Sequence, residues 1–167
     1  GTAKVGRTLT ADPGAWSPTP TFTYQWRANG VAIDGATGSS FTLTPEQQGR
    51  AITVVVTGSR SGYTTASRTS TATASTAAGD LTTGAVVVSG TPKVGVPLAA
   101  SPGTWSPEPD DYTYRWFADG VAISGAIDST FTPTAAQAGK TLRVDVRGTR
   151  AGYTAATASG SAGPVAV

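Results

Sequence analysis

The 167 residues include 12 Lys and Arg against 10 Asp and Glu, with no His and no Cys, which excludes disulfides, imidazole and thiolate metal sites and every Ser-His-Asp arrangement. The net charge of +2 comes from scattered basic residues and leaves no footprint for a nucleic acid, and no apolar run approaches the ~20 residues of a membrane span. The 21 Gly, 11 Pro, abundant Thr and Ser, and only 13% charged residues favour pleated, half-buried surfaces over helices.

In chain order, the opening GTAKVG of residues 1–6 leads to PGAWSP at residues 13–18. Residues 21–28 then alternate, with Phe22, Tyr24 and Trp26 on one face and polar residues between them. Such a period of two predicts a strand with one buried face. Asn29-Gly30 follows and supplies the positive φ values of a type I′ hairpin turn into Val31-Ala32-Ile33. Residues 45–48 allow a single helical turn. Ile52, Val54 and Val56 form another one-faced strand, and the Thr- and Ser-rich residues 64–74 read as the last strand of this set. Residues 75–80 (STAAGD) are small and polar and read as a linker.

The same phrases then return. GTPKVG occupies residues 90–95, PGTWSP residues 102–107, and Tyr24-Gln-Trp26 reappears as Tyr114-Arg-Trp116 after one extra residue. GVAIDGA at 30–36 becomes GVAISGA at 120–126, and Gly62-Tyr63 becomes Gly152-Tyr153. Roughly half the aligned positions are identical, which marks a duplication. Asp119-Gly120 repeats the hairpin turn, residues 135–138 the helical turn, and Leu142, Val144 and Val146 the one-faced strand, here interleaved with Arg143, Asp145 and Arg147. One face of that strand must therefore be wet. The expected domains are 1–78 and 79–167, each a β-sandwich. The second is preceded by Gly84-Ala85-Val86-Val87-Val88, which reads as its first strand and has no match in the first copy. The closing Gly163-Pro164-Val165-Ala166-Val167 resembles the opening of a further first strand.

The order of aromatic-x-Trp strand, hairpin, polar turn ending in Gly49 or Gly139, and Val-x-Val strand is similar to the central strands of immunoglobulin-like folds, with Trp26 and Trp116 as the core tryptophans. More narrowly, VGxxL, GxWSP, YxW and V-x-V…GY resemble the tandem Ig-like repeats of large secreted or wall-associated actinobacterial proteins. The resemblance implies two tandem immunoglobulin-like β-sandwich domains, all-β, outside the cell or on its wall, and neither a catalytic centre nor a cofactor.

Four aromatics are the candidate binding residues. Trp16 and Trp105 sit in Gly/Pro-flanked turns, where they either close the open end of a small sandwich or present a face to a sugar, and Tyr63 and Tyr153 follow glycines in the turn before the last strand. The loop acids Asp110, Asp111, Asp119 and Asp128 offer calcium oxygens but lack a DxDxDG-type spacing, and loop Asp more often caps a turn. A first domain without its first strand exposes an edge that recruits other strands. The tail Pro164, Val165, Ala166 and Val167 is the expected partner, joining one molecule to the next head to tail. The two expectations for function are a non-catalytic spacer, stalk or adhesive module, and a carbohydrate-binding accessory acting on cell-surface glycans.

Overall fold

The alternation at residues 21–28 produces the eight-residue strand that organises the first half of the chain: Trp26 and Ala28 are buried, and Thr21 and Thr23 face out. A computed structural model describes residues 1–167 as two units, residues 1–79 and 80–167. Unit 1 contains β1 (Thr8–Thr10), β2 (Thr21–Ala28), β3 (Val31–Ala32), β4 (Ser40–Thr42), β5 (Ile52–Ser59) and β6 (Ala66–Thr69), and the two-residue β7 (Gly79–Asp80) straddles the boundary. The strands form two antiparallel sheets, ordered β3-β2-β5-β6 and β1-β4. Unit 2 contains β8 (Val87–Ser89), β9 (Leu98–Ser101), β10 (Asp111–Ala118), β11 (Val121–Ala122), β12 (Thr130–Phe131), β13 (Leu142–Thr149), β14 (Tyr153–Thr154) and β15 (Ala156–Ala162). Its sheets are ordered β11-β10-β13-β15 and β12-β9-β8. The chain is thus all-β, two tandem immunoglobulin-like sandwiches built on one plan.

The register explains the plan. Trp26 lies opposite Val54 on β5, and Trp116 opposite Val144 on β13. Each indole meets a phenylalanine from the facing sheet, Trp26 with Phe41 at 6.0 Å and Trp116 with Phe131 at 5.5 Å. Each indole N–H donates to a loop carbonyl, of Gly38 at 2.9 Å and of Asp128 at 3.0 Å. Burying a ring of this size contributes roughly 4–6 kcal/mol from its area alone, and the hydrogen bond removes the cost of burying its polar atom.

The turns repeat just as closely. Asn29 and Gly30 have φ of 48° and 82°, Asp119 and Gly120 of 46° and 81°, the pattern of a type I′ hairpin. The turn side chains also tie a distant segment. Oδ1 of Asn29 accepts from the Ala51 N–H at 2.9 Å, and Oδ1 of Asp119 from the Thr141 N–H at 3.0 Å. The helical turns are 3-10 segments, Pro45–Gln47 and Ala135–Gln137. In each, a Gln Oε1 accepts from the backbone N–H and hydroxyl of the preceding Thr44 or Thr134. This is the T-x-x-Q form of a capping box.

Three expectations need correction. Residues 75–80 are not simply a linker, because Thr76 is buried and Ala77 closes unit 1 in a parallel bridge with Lys4. Thr76 exchanges bonds with Gly49 and Arg50, and Ala77 with Val5 and Ala3. The tail Pro164, Val165, Ala166 and Val167, expected to be free to pair with another molecule, forms the same closing strip in unit 2. Val165 is 2% exposed, bonded to Gly139 and Lys140, and Ala166 is bonded to Val94 and Pro92. A strip held by four backbone bonds needs only one inward residue, so its composition looks like that of a linker. Lastly, the final strand of unit 1 stops at Thr69, well short of residue 74. Ser70 still donates to Val54, but the next bond to β5 is from Thr73 to Ile52, a spacing one residue too long and therefore a bulge. The Ser70 and Thr73 hydroxyls accept from the N–H groups of Val54 and Ile52 there, where β15 runs unbroken.

Candidate functional site

Trp16 and Trp105 are placed by the Gly-Pro turns that precede β2 and β10. Each indole N–H donates to the carbonyl three residues earlier, Pro13 at 2.8 Å and Pro102 at 2.9 Å. Each ring sits edge-on to the first aromatic of the following strand, Trp16 to Phe22 at 5.5 Å and Trp105 to Tyr112 at 5.7 Å. Each also lies over a glycine: a Cβ on Gly58 would come within 2.8 Å of the Trp16 ring, and one on Gly148 within 2.9 Å of the Trp105 ring. These glycines are required by that close approach and not by a turn.

The two indoles differ in exposure. Trp105 is 3% exposed, because the segment entering β8 lies against its turn. Thr82 and Ser106 exchange both backbone bonds, and Gly84 and Gly103 pass too close to their neighbours for a side chain. Trp16 has no such cover and is half-buried, with the Arg68 guanidinium 4.9 Å from its ring centre. Trp105 therefore offers no stacking face, and that of Trp16 is already occupied by a cation. Tyr63 is 60% exposed with Arg60 at 5.9 Å; Tyr153 is half-buried with Arg150 at 5.7 Å. Of the four aromatics, Trp16 and Tyr63 line one cleft with Pro18 and Arg60, of about 150 Å³.

The acids are structural participants. Oδ2 of Asp110 accepts from the Ala151 N–H at 2.9 Å, and its other oxygen is 3.4 Å from Arg150, so the residue inserted in the second copy ties the β13–β14 turn. Asp145 pairs with Arg143 at 2.9 Å and accepts from Ser159, and the same guanidinium covers Phe117 at 4.2 Å. The Tyr112 hydroxyl donates to Glu108 at 2.8 Å. Burial, followed by that carboxylate, pushes the phenol up to about 12.

A more apolar opening lies elsewhere. A groove of about 330 Å³ in unit 1 runs between β1 and residues 68–73, floored by Trp26, Val54 and Val56.

No protein-family model matches the chain, and no curated protein is similar to it at a significant level. Among solved structures, the chain is similar to the amphioxus IgVJ-C2 molecule at 14% identity over 99% of each chain, with a TM-score of 0.41. So distant a likeness carries no argument; the fold stands on the strand order and register above. No helix is long and apolar enough to cross a membrane.

Proposed function

We propose that the chain is a non-catalytic structural or adhesive tandem module, a spacer or stalk of a larger secreted or wall-attached protein. The observation that carries this reading is what the two copies share and what they do not. Shared are the groups that make a sandwich close: the core tryptophans with their carbonyl partners, the capping boxes, the turn caps Asn29 and Asp119, and the glycines beneath Trp16 and Trp105. Not shared is the outward face of the central strand. Thr53, Val55 and Thr57 in unit 1 correspond to Arg143, Asp145 and Arg147 in unit 2. Copies that keep packing and let surface chemistry diverge suit a part that has only to fold and to hold distance. The exposed Val31 and Val121 are retained, and a β-branched residue favours the short strand each begins.

The test is replacement. A binding domain carried on a cell surface by this chain should capture its target as well as one carried by an unrelated pair of sandwiches. Capture that depends on this chain in particular would overturn the reading. Carbohydrate binding survives as a second reading for unit 1 alone, on the cleft shared by Trp16 and the exposed Tyr63. A glycan array bound by the chain but not by Tyr63→Ala would favour it.

A further inference from the structure

We propose that unit 1 carries a carboxylate-binding site at Arg60 and Ser61, and that its ligand is an acidic sugar of the uronic acid kind. This goes beyond the spacer reading. It rests on the carbohydrate reading for the sugar alone, since the anion site stands on geometry that does not involve the face of Trp16.

Unit 2 displays the same site with a carboxylate already in it. Its Asp110, the residue inserted between Pro109 and the start of β10, spans two donors. Oδ2 accepts from the Ala151 N–H at 2.9 Å, and Oδ1 lies 3.4 Å from Nη1 of Arg150. The Glu108 carbonyl also accepts from that guanidinium, which lies 5.7 Å from the centre of the Tyr153 ring. Unit 1 repeats the frame. Arg60 donates to the Thr19 carbonyl at 2.8 Å and lies 5.9 Å from the centre of the Tyr63 ring. The Tyr63 N–H returns to the Arg60 carbonyl, as that of Tyr153 does to Arg150. Pro20 lies against Gly58 as Pro109 lies against Gly148. What unit 1 lacks is the acid. The chain passes from Pro20 directly to Thr21, and no Asp or Glu occurs in residues 17–22 or 58–66. The Ser61 N–H, counterpart of that of Ala151, meets no protein acceptor.

A carboxylate shared between an amide N–H and a guanidinium makes charge-assisted hydrogen bonds, which are stronger than neutral ones. An anion from outside the chain therefore gains at Ser61 and Arg60 what Asp110 gains in unit 2. The place is open to solvent. Arg60 and Ser61 are exposed and border a groove of about 450 Å³ with Thr19, Thr21, Ser59 and Thr65. Pro20 is the one apolar residue of its lining. Hydroxyls both donate and accept, so a ring of them around one cation suits a carboxylate that carries hydroxyls of its own. The opening does not depend on what lies ahead of β1. In unit 2, with residues 80–89 in place, the side chains of Arg150 and Asp110 remain 36% and 56% exposed. Unit 2 has supplied its own anion, so the site belongs to unit 1 alone.

The experiment uses the full chain, labelled for NMR and titrated with sodium glucuronate at constant ionic strength. Expected are saturable shifts of the Ser61 amide and the Arg60 side-chain N–H, with none at Ala151. Glucose, which lacks the carboxylate, and acetate, which lacks the hydroxyls, should each bind about tenfold or more weakly. Arg60→Gln should weaken glucuronate to the level of glucose. An Asp inserted between Pro20 and Thr21 should abolish the response at Ser61, and Asp110→Ala should create one at Ala151. These two variants decide the matter if Arg60→Gln fails to fold, because each alters only an exposed acid. No shift at Ser61, or glucose binding as tightly as glucuronate, overturns the proposal. So does equal or tighter binding of acetate or of an aspartyl tripeptide, since the groove hydroxyls would then contribute nothing. Glucuronate binding that Tyr63→Ala abolishes and Arg60→Gln leaves intact overturns this site while sparing the carbohydrate reading itself.

Discussion

The two units share a floor, a set of caps and a pair of tryptophans, and they differ mainly in one strand. Unit 2 has β8 along its second sheet; unit 1 has an open edge and, facing it, a last strand that bulges at Ser70–Thr73. The difference separates what makes this sandwich from what seals it. Strands β2 and β5, locked by Trp26 and Phe41, form the same central pair with or without the first strand. The seal comes from a segment that contributes only half-buried valines, yet beneath it Trp116, Val144 and Val146 are 0% exposed where Trp26, Val54 and Val56 keep 4–6%, and it covers the neighbouring end tryptophan.

The largest test of that separation is to remove the shared element from each unit. Trp116→Ala and Trp26→Ala should each cost about 3–5 kcal/mol, with Trp116→Ala the more severe because its cavity has no open side to collapse into. Thermal melting followed by NMR of both units measures this, and equal or reversed losses would mean that β8 is not what seals the core. Next in size is the closing strip. Deleting Pro164, Val165, Ala166 and Val167 removes one buried valine and four backbone bonds from unit 2, an expected loss of about 3 kcal/mol, read as lost amide protection at Gly139 and Val94. Unchanged protection would return the tail to a frayed end.

A smaller change should make unit 2 resemble unit 1. Val86→Ser together with Val88→Ser is expected to cost about 2–3 kcal/mol and to open exchange at Val144 and Val146 without disturbing Asn29 or its turn. The smallest effect is alkaline. Tyr112 is held protonated by burial and by Glu108, with its value raised from 10.0 to about 12. Its contribution is complete below pH 10 and is lost as pH rises from 10 towards 12, because the unfolded phenol ionises first. Phe22 takes its place in unit 1 and cannot ionise, so Tyr112→Phe should abolish this one alkaline loss in a pH-dependent denaturation series.

Much of the architecture was legible because it is written in local periods. Alternation at residues 21–28 and 52–56, the Asn29-Gly30 and Asp119-Gly120 turns, and the duplicated phrases each fix a strand, a hairpin or a repeat without reference to distant residues. The T-x-x-Q caps were legible in principle, since Thr44 and Gln47 stand at the required spacing. The roles of Trp16 and Trp105 were not: identical motifs have different exposures, and the cause lies about twenty residues upstream of Trp105. The function of residues 75–80 and of the tail was hidden for a related reason, as Thr76 and Val165 owe their burial to partners across the whole unit.

By itself, the sequence determined that this protein is two copies of one β-sandwich, with Trp26 and Trp116 inward, because side-chain alternation and turn chemistry are short-range properties. Tertiary structure alone decided which edges are paired, which indole is covered and where the apolar floor lies open. Those outcomes depend on backbone bonds between segments far apart in the chain, and a backbone N–H or C=O is the same at every residue, so its partner cannot be read from the letters that surround it.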